Sequence, residues 1–239
     1  MIEKIENKEQ LSDWKENDIF TVRIFALLQS YGTAYNFASF YRQVVDGKIT
    51  AVMSKLDGDF TMSLTDDYDR DELVRFFCVT GYTSILCDDR FEMGSRHEEG
   101  VVMSSSKKQD KPMQNAVIDE YPKLMDLFNF VDYDNQDFKS WYVDISHRVR
   151  HKTAKAYTLN VSGEIISSGI LSSIYGGNAV LTAVRTADEF RNMGYGGSLV
   201  SHICSDVKGT VFLMRDKELN ESFYKNLGFE NIGIWRMYR

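Results

Sequence analysis

Apolar residues recur three and four apart along residues 19–30 and again at Trp141, Ile145 and Val149. That spacing lays one apolar stripe along an α-helix. The same reading predicts helices over 9–16, 70–79, 118–130, 137–150, 199–207 and 217–226. Between them lie short, β-branched, alternating runs bounded by turn residues, which read as strands. Strands over 38–45 and 49–56 flank Asp46-Gly47-Lys48, and one over 59–64 follows Asp57-Gly58. A strand over 83–87 comes after the third helix. Strands over 155–161 and 164–172 flank Ser162-Gly163, and one over 178–184 follows Gly176-Gly177. A last apolar strand is predicted over 210–214.

Hairpin, strand, helix, strand is thus the order in both halves. The stretch 99–115, with Gly100, the run Ser104-Ser105-Ser106, Lys107-Lys108-Gln109-Asp110-Lys111 and Pro112, is the linker candidate, although Val101-Val102-Met103 could form a strand before it. Two domains are expected, 1–110 and 111–239. The first reads as a degenerate copy of the second, the alternative being an unrelated α+β domain.

Composition narrows the function classes. The 239 residues are 43% hydrophobic and 13% aromatic, enough for a sizeable core. A formal charge of −7 argues against general nucleic-acid binding, which needs a basic excess. Three scattered cysteines, Cys78, Cys87 and Cys204, show no metal-type pairing and read as a reducing compartment. No apolar run approaches the roughly 20 residues of a membrane span, and the charged opening residues lack a signal-peptide pattern. A cytoplasmic protein, bound to neither membrane nor nucleic acid, is expected.

The chemistry concentrates in Arg191-Asn192-Met193-Gly194-Tyr195-Gly196-Gly197-Ser198. This glycine-rich turn leads from a strand into a helix. Free amides at a helix N-terminus, with the helix dipole behind them, suit a phosphate or pyrophosphate. The spacing matches neither the NTPase loop nor the dinucleotide fingerprint. Arg-x-x-Gly-x-Gly instead resembles motif A of the GNAT superfamily of N-acetyltransferases. The approach Val184-Arg185-Thr186-Ala187-Asp188-Glu189-Phe190 and the ending Phe223-Tyr224-Lys225-Asn226-Leu227-Gly228-Phe229 are similar to that family's sequence as well. The resemblance covers residues from about 135 to 239.

What it implies is an α/β (α+β) fold with a mixed central sheet flanked by helices, a GNAT-like acyl-CoA acyltransferase fold, in two tandem domains. It implies acetyl-CoA as cosubstrate, with no metal. Backbone groups of Ala183 and Val184 would hold the pantetheine arm, and an amide near Val184 would polarise the thioester carbonyl. Amides from Arg191, Asn192, Met193, Gly194, Tyr195, Gly196, Gly197 and Ser198 would hold the pyrophosphate, and Asn220 would bond the pantetheine. Tyr224 stands at the general-acid position. The acceptor would be a primary amine of a small molecule, or an aminoacyl or peptide group, bound between the domains; a homodimer is kept as an option. Asp188 departs from the family pattern, where proline is usual, with Arg185 and Arg191 as its offsetting charges. The alternatives are a non-catalytic acyl-CoA-binding or regulatory module, and transfer of a longer acyl group.

Other signals read as structural. His147 and His151, four apart on a helix, are a capping or solvated pair rather than a metal site. His202 is assigned to the core or the surface, Glu164 to a solvated turn and Lys107-Lys108 to a solvated linker. Phe37, Phe40, Tyr41, Phe76 and Phe77 are assigned to the core of the first domain. In the first half the counterpart of the glycine loop, Thr65-Asp66-Asp67-Tyr68-Asp69, has three carboxylates and no glycine, so it should repel a pyrophosphate. No general base is identified.

Overall fold

Alternation along the strands decides which side of each sheet every residue serves. The computed structural model describes all residues except 95, 109–112, 114 and 134–136. The linker candidate 99–115 is corrected over its first part, where residues to Ser105 belong to a strand, and 109–112 and 114 of it lie outside the described residues. The chain divides into two compact units. One comprises Met1–Val102, Met214–Lys217 and Ile232–Arg239, and the other Met103–Leu213 and Glu218–Asn231.

In the first unit, β1 (Ile2–Lys4), β2 (Ala38–Val45), β3 (Lys48–Leu56), β4 (Asp59–Leu64), β5 (Ser84–Asp88) and β6 (His97–Ser105) share a sheet with β12 (Glu230–Tyr238). The order is β1-β2-β3-β4-β5-β12-β6. β2, β3 and β4 are antiparallel neighbours; α2 (Arg70–Thr80) then carries the chain to β5, which lies parallel to β4. Val52 packs with Ile24, Leu27 and Leu28 of α1 (Ile19–Tyr31) on one face. Its neighbours Ala51 and Met53 pack with Leu73 and Phe77 of α2 on the other. The sheet is thus sandwiched by helices, each face taking every second side chain. β12 pairs antiparallel with β5, from Trp235↔Asp88 to Tyr238↔Ile85.

The second unit repeats this plan. β8 (Lys155–Val161), β9 (Glu164–Tyr175) and β10 (Asn178–Thr186) are antiparallel. α5 (Tyr195–Asp206) crosses to β11 (Val211–Asp216), which is parallel to β10. β7 (Val117–Asp119) forms the far edge on β8. Ala156 and Ile170 pack against Leu127 of α3 (Leu124–Val131) and Ile145 of α4 (Phe138–Arg150). α5 covers the opposite face, where a Cβ on Gly169 would meet Ile203 at 2.7 Å. α6 (Glu221–Asn226) completes the unit. The expected mixed α/β architecture, sheets flanked by helices, is what forms.

Four further sequence expectations are corrected. The helix over 9–16 is only a 3₁₀ turn, Lys8–Leu11, closed by a capping box between Asn7 and Gln10. The helix over 118–130 starts at Leu124, because Pro122 offers no N–H to a helix running through it and Val117-Ile118-Asp119 pairs with β8 instead. The helix over 217–226 shortens to α6, since Asn220 adopts a left-handed conformation. β12 has no counterpart among the predicted strands: its middle, Ile232-Gly233-Ile234-Trp235-Arg236, alternates only in part.

Candidate functional site

α1, α2 and α4 are each closed at the N-terminus by an aspartate (Asp18, Asp69, Asp137) whose carboxylate accepts a first-turn amide. α5 is not. Its N-cap is Gly194, at φ 90°, and no side chain caps it. The Ser198 amide donates to the Gly194 carbonyl at 2.9 Å. The amides of Tyr195, Gly196 and Gly197 precede that bond, so they lead out of the helix end with the dipole behind them. Arg191, Asn192, Met193 and Gly194 are exposed, whereas Gly196 and Ser198 are buried.

Gly196 is a steric requirement. A Cβ there would lie 2.7 Å from Thr186 Oγ1 and 3.7 Å from the Phe223 ring. The helix end therefore rests directly on the end of β10 and against α6. Gly197 has ordinary room, its Cβ position 3.5 Å from Leu227. In the first unit the equivalent turn is filled by its own groups. Asp69 caps Glu72, the Asp69 amide donates to Gln43 at 3.0 Å, and Asp66 pairs with Arg90.

β10 is interrupted where chemistry is expected. Its register with β9 runs Leu181↔Leu171, Thr182↔Ile170, then Arg185↔Ser168 and Thr186↔Ser167, passing over Ala183 and Val184. Ala183 has φ 52°, a conformation that costs a non-glycine residue about 1 kcal/mol or more. Two buried hydroxyls hold this bulge: Ser168 Oγ donates to the Ala183 carbonyl at 3.0 Å and Ser167 Oγ to the Arg185 carbonyl at 2.9 Å. Ser167 Oγ is also 3.0 Å from Thr186 Oγ1. On the other edge, β10 and β11 register only at Ala179↔Val211 and Val180↔Phe212. Beyond Val180 that edge has no registered partner among the described residues.

Tyr224 lies on α6, 9% exposed, with Phe223 and Phe229 rings 5.0 and 5.7 Å away. Burial pushes its phenol up to about 12, so it is protonated at neutral pH. The helix closes at Gly228, φ 84°. The Gly228 amide donates to Lys225 O at 2.9 Å and the Phe229 amide to Tyr224 O at 3.0 Å, a Schellman closure. Asn220 is exposed at the N-cap of α6, and its side chain caps nothing.

Of the two arginines expected to offset Asp188, one does so. Arg191 pairs with Asp188 at 2.7 Å. Arg185 turns away: its Nη1 donates to Val131 O at 2.6 Å and its guanidinium stands over the Phe130 ring, tying β10 to the end of α3. Lys108 is exposed, as expected, but its ammonium is anchored: it donates to Cys204 O and Gly209 O at 3.0 and 2.7 Å, beside the end of α5. His151 closes α4, its Nδ1 2.9 Å from His147 O. His202 Nε2 lies 3.1 Å from Glu120, whose other oxygen binds Lys155; Lys155 and Tyr157 both reach Asp206. Among the described residues no group of three metal-type ligands occurs.

The structure therefore sets the N-terminus of α5 against Thr186, on the strand that carries Ala183 and Val184, and against Phe223, the chain neighbour of Tyr224 on α6. Sequence reasoning misses Ser167, Ser168 and Thr186. The signal was two serines amid an apolar strand, Ile165-Ile166-Ser167-Ser168-Gly169-Ile170-Leu171.

Residues 167–239 match the model of the FR47-like protein family. No curated protein matches the sequence. Among solved structures, a GCN5-related N-acetyltransferase from Kribbella flavida superposes with a TM-score of 0.62 at 13% identity, over 92% of this chain and 93% of that one. One from Sphaerobacter thermophilus gives 0.58 at 11%, over 99% and 94%. A tandem GNAT protein from the clavulanic acid biosynthesis pathway gives 0.58 at 10%, over 99% and 97%. At such identities the likeness is one of fold, and the fold is that of the GNAT acyltransferases. The resemblance read from residues 184–198 and 223–229 is borne out.

Proposed function

We propose that this chain is an acetyl-CoA-dependent N-acetyltransferase that acetylates a primary amine, on a small molecule or on an aminoacyl or peptide acceptor, by direct attack. The observation that carries the reading is the uncapped, glycine-built N-terminus of α5, seated on the bulged end of β10. A site for a pyrophosphate needs bare amides and no Cβ between them and the ligand. The absence of a side-chain cap on Gly194 supports the first condition, and the missing Cβ at Gly194, Gly196 and Gly197 supports the second.

Acetyl-CoA supplies an activated thioester. Of residues 191–198, Asn192 through Gly197 offer the pyrophosphate their amides, those of Arg191 and Ser198 being already given to the Asp188 and Gly194 carbonyls, and the Arg191–Asp188 pair keeps the carboxylate of Asp188 from acting as a free repulsive charge. Ala183 and Val184, outside the register with β9, pair with the pantetheine arm as an added strand would, and Asn220 adds a side-chain bond. The Val184 amide donates to the thioester carbonyl oxygen, where negative charge develops as the amine attacks; a fixed donor there is worth about 3–4 kcal/mol. Tyr224, protonated up to about pH 12, gives its proton to the departing sulfur as the carbon–sulfur bond breaks, and the proton shed by the acetylated nitrogen restores the phenol. The reaction as proposed calls for no metal.

We further propose that 1–110 and 111–239 are two copies of one fold, the first without a CoA site. The shared order of antiparallel strands, crossover helix and parallel strand supports this, as does the self-filled turn at Asp69. No helix is long and apolar enough to cross a membrane among the described residues. A cytoplasmic location fits three free cysteines.

Isothermal titration with acetyl-CoA, CoA and desulfo-CoA tests the reading. Micromolar binding, weakened at least tenfold when Gly194 and Gly196 are replaced by bulky residues, is expected. Absence of binding sinks the acetyltransferase assignment.

A further inference from the structure

We propose that Ser168 is a positioning residue that aims the Val184 amide, an inference that rests on the acetyltransferase reading above. In a trans peptide the C=O of one residue and the N–H of the next lie in one plane and point in opposite directions. Ser168 Oγ holds the Ala183 carbonyl from the β9 side at 3.0 Å. The Val184 N–H, in the same peptide plane, is thereby directed away from β9, toward the edge of β10 that has no registered partner beyond Val180 among the described residues. Within the bulge, that peptide is the one whose carbonyl an interior side chain fixes while its amide is released from the ladder.

The energetic logic supports a purpose for this bond. Ala183 sits at φ 52°, which an alanine leaves readily unless something holds it. A regular continuation of β10 would pair Ala183 and Val184 with β9 and turn the amide back into the sheet. Ser168 is wholly buried, and so is the adjacent Ser167, whose Oγ holds the Arg185 carbonyl at 2.9 Å. Two consecutive serines in a strand interior are costly to bury without partners. Here both are committed to the two carbonyls that bracket Val184, those of Ala183 and Arg185. The bulge is therefore pinned on both sides of the amide that meets the thioester.

The consequence is specific. Loss of the Ser168 hydroxyl should leave binding of the pyrophosphate, some residues away, intact, and should weaken only the polarisation of the carbonyl. The test is isotope-edited infrared spectroscopy of [1-13C]acetyl-CoA bound to the full chain, with affinity measured by titration. A hydrogen bond to the carbonyl lowers its stretching frequency relative to free acetyl-CoA. Wild-type protein should show a lowered band. Ser168→Ala should bind with a Kd within about twofold, yet return the band toward the free position. Ser168→Thr, which keeps a hydroxyl at the same place, should retain the lowered band. Should Ser168→Ala prove poorly folded, Ser168→Cys, a weak donor of similar size, should give a band between the two.

An identical band in wild type, Ser168→Ala and Ser168→Cys overturns the positioning role while leaving the acetyltransferase reading intact. A wild-type band at the free position overturns the donor role of Val184 together with it. Failure of the wild-type protein to bind acetyl-CoA at all removes the parent reading instead. Once an acceptor amine is in hand, turnover of Ser168→Ala should fall about 10- to 100-fold with little change in KM for acetyl-CoA. That split is expected when a donor is misaimed while the groups that anchor the cosubstrate stay in place.

Discussion

Replacing Gly196 with alanine separates two roles a glycine can play. Gly196 has an ordinary helical backbone, so the added methyl carries no conformational penalty and should gain about 0.5–1 kcal/mol of helix preference. Its cost is purely steric. The new Cβ would lie 2.7 Å from Thr186 Oγ1, and that hydroxyl is itself 3.0 Å from Ser167 Oγ. A carbon and an oxygen at 2.7 Å overlap by roughly half an ångström, and overpacking of this kind costs about 1–3 kcal/mol. The net is a loss of about 0–2.5 kcal/mol, at most a few degrees in Tm for a chain of this length. Relief of the clash moves the α5 N-terminus off β10, so acetyl-CoA affinity should fall at least tenfold, about 1.4 kcal/mol. Gly197→Ala is the control: its Cβ would sit 3.5 Å from Leu227, at ordinary van der Waals distance, and stability should hold or rise. Thermal unfolding and titration calorimetry on Gly196→Ala, Thr186→Ala and the double variant complete a cycle. Adding Thr186→Ala should recover most of both losses. If Gly196→Ala behaves like Gly197→Ala, or if the double variant is no better than Gly196→Ala, the steric argument is wrong.

Two further expectations follow from burial and ionisation. Tyr224→Phe should cut acetyl transfer at least tenfold without weakening CoA affinity, and the wild-type pH–rate profile should have no falling limb from this phenol below about pH 12; an unchanged rate removes Tyr224 from the reaction. Burial raises the Cys204 thiol from 9.0 to about 11, so the folded state keeps a proton that the unfolded chain releases above pH 9. Stability present below pH 9 is then lost as pH rises toward 11, by about 2–3 kcal/mol from this thiol. Urea midpoints compared between about pH 8 and pH 10.5 for wild type and Cys204→Ala measure it, and an equal drop in both would assign the alkaline loss elsewhere.

How much of this is legible in the sequence depends on how local the cause is. Asp46-Gly47 and Ser162-Gly163 each dictate a turn through their own backbone preferences, and each turn forms where expected. The glycine loop is equally local, because bare amides at a helix start need only the residues around them. The bulge is not. It arises from hydroxyls on β9 meeting carbonyls on β10 some 15 to 18 residues away, and nothing in Val-Leu-Thr-Ala-Val announces an interruption. Arg185 escapes sequence reasoning for the same cause, since its partner, the Val131 carbonyl, lies 54 residues earlier. The sequence pattern overextends α3 because Ile118, Tyr121, Met125 and Phe128 recur three and four apart, a helical spacing that Pro122 overrules.

The pairing of β12 with β5 joins Tyr238 to Ile85 and Trp235 to Asp88, residues roughly 150 positions apart in the chain. Strand pairs that remote form slowly, because a long loop must close before any pairing rewards it. During synthesis at about 5–20 residues per second, the sheet begun by residues 1–88 waits on the order of ten seconds or more for the strand that completes it. Until then β5 offers an open edge of unsatisfied amides and carbonyls. The first half of this polypeptide is thus the first to be made and among the last to be finished, with its period of greatest exposure to wrong partners falling while the second half is still being translated.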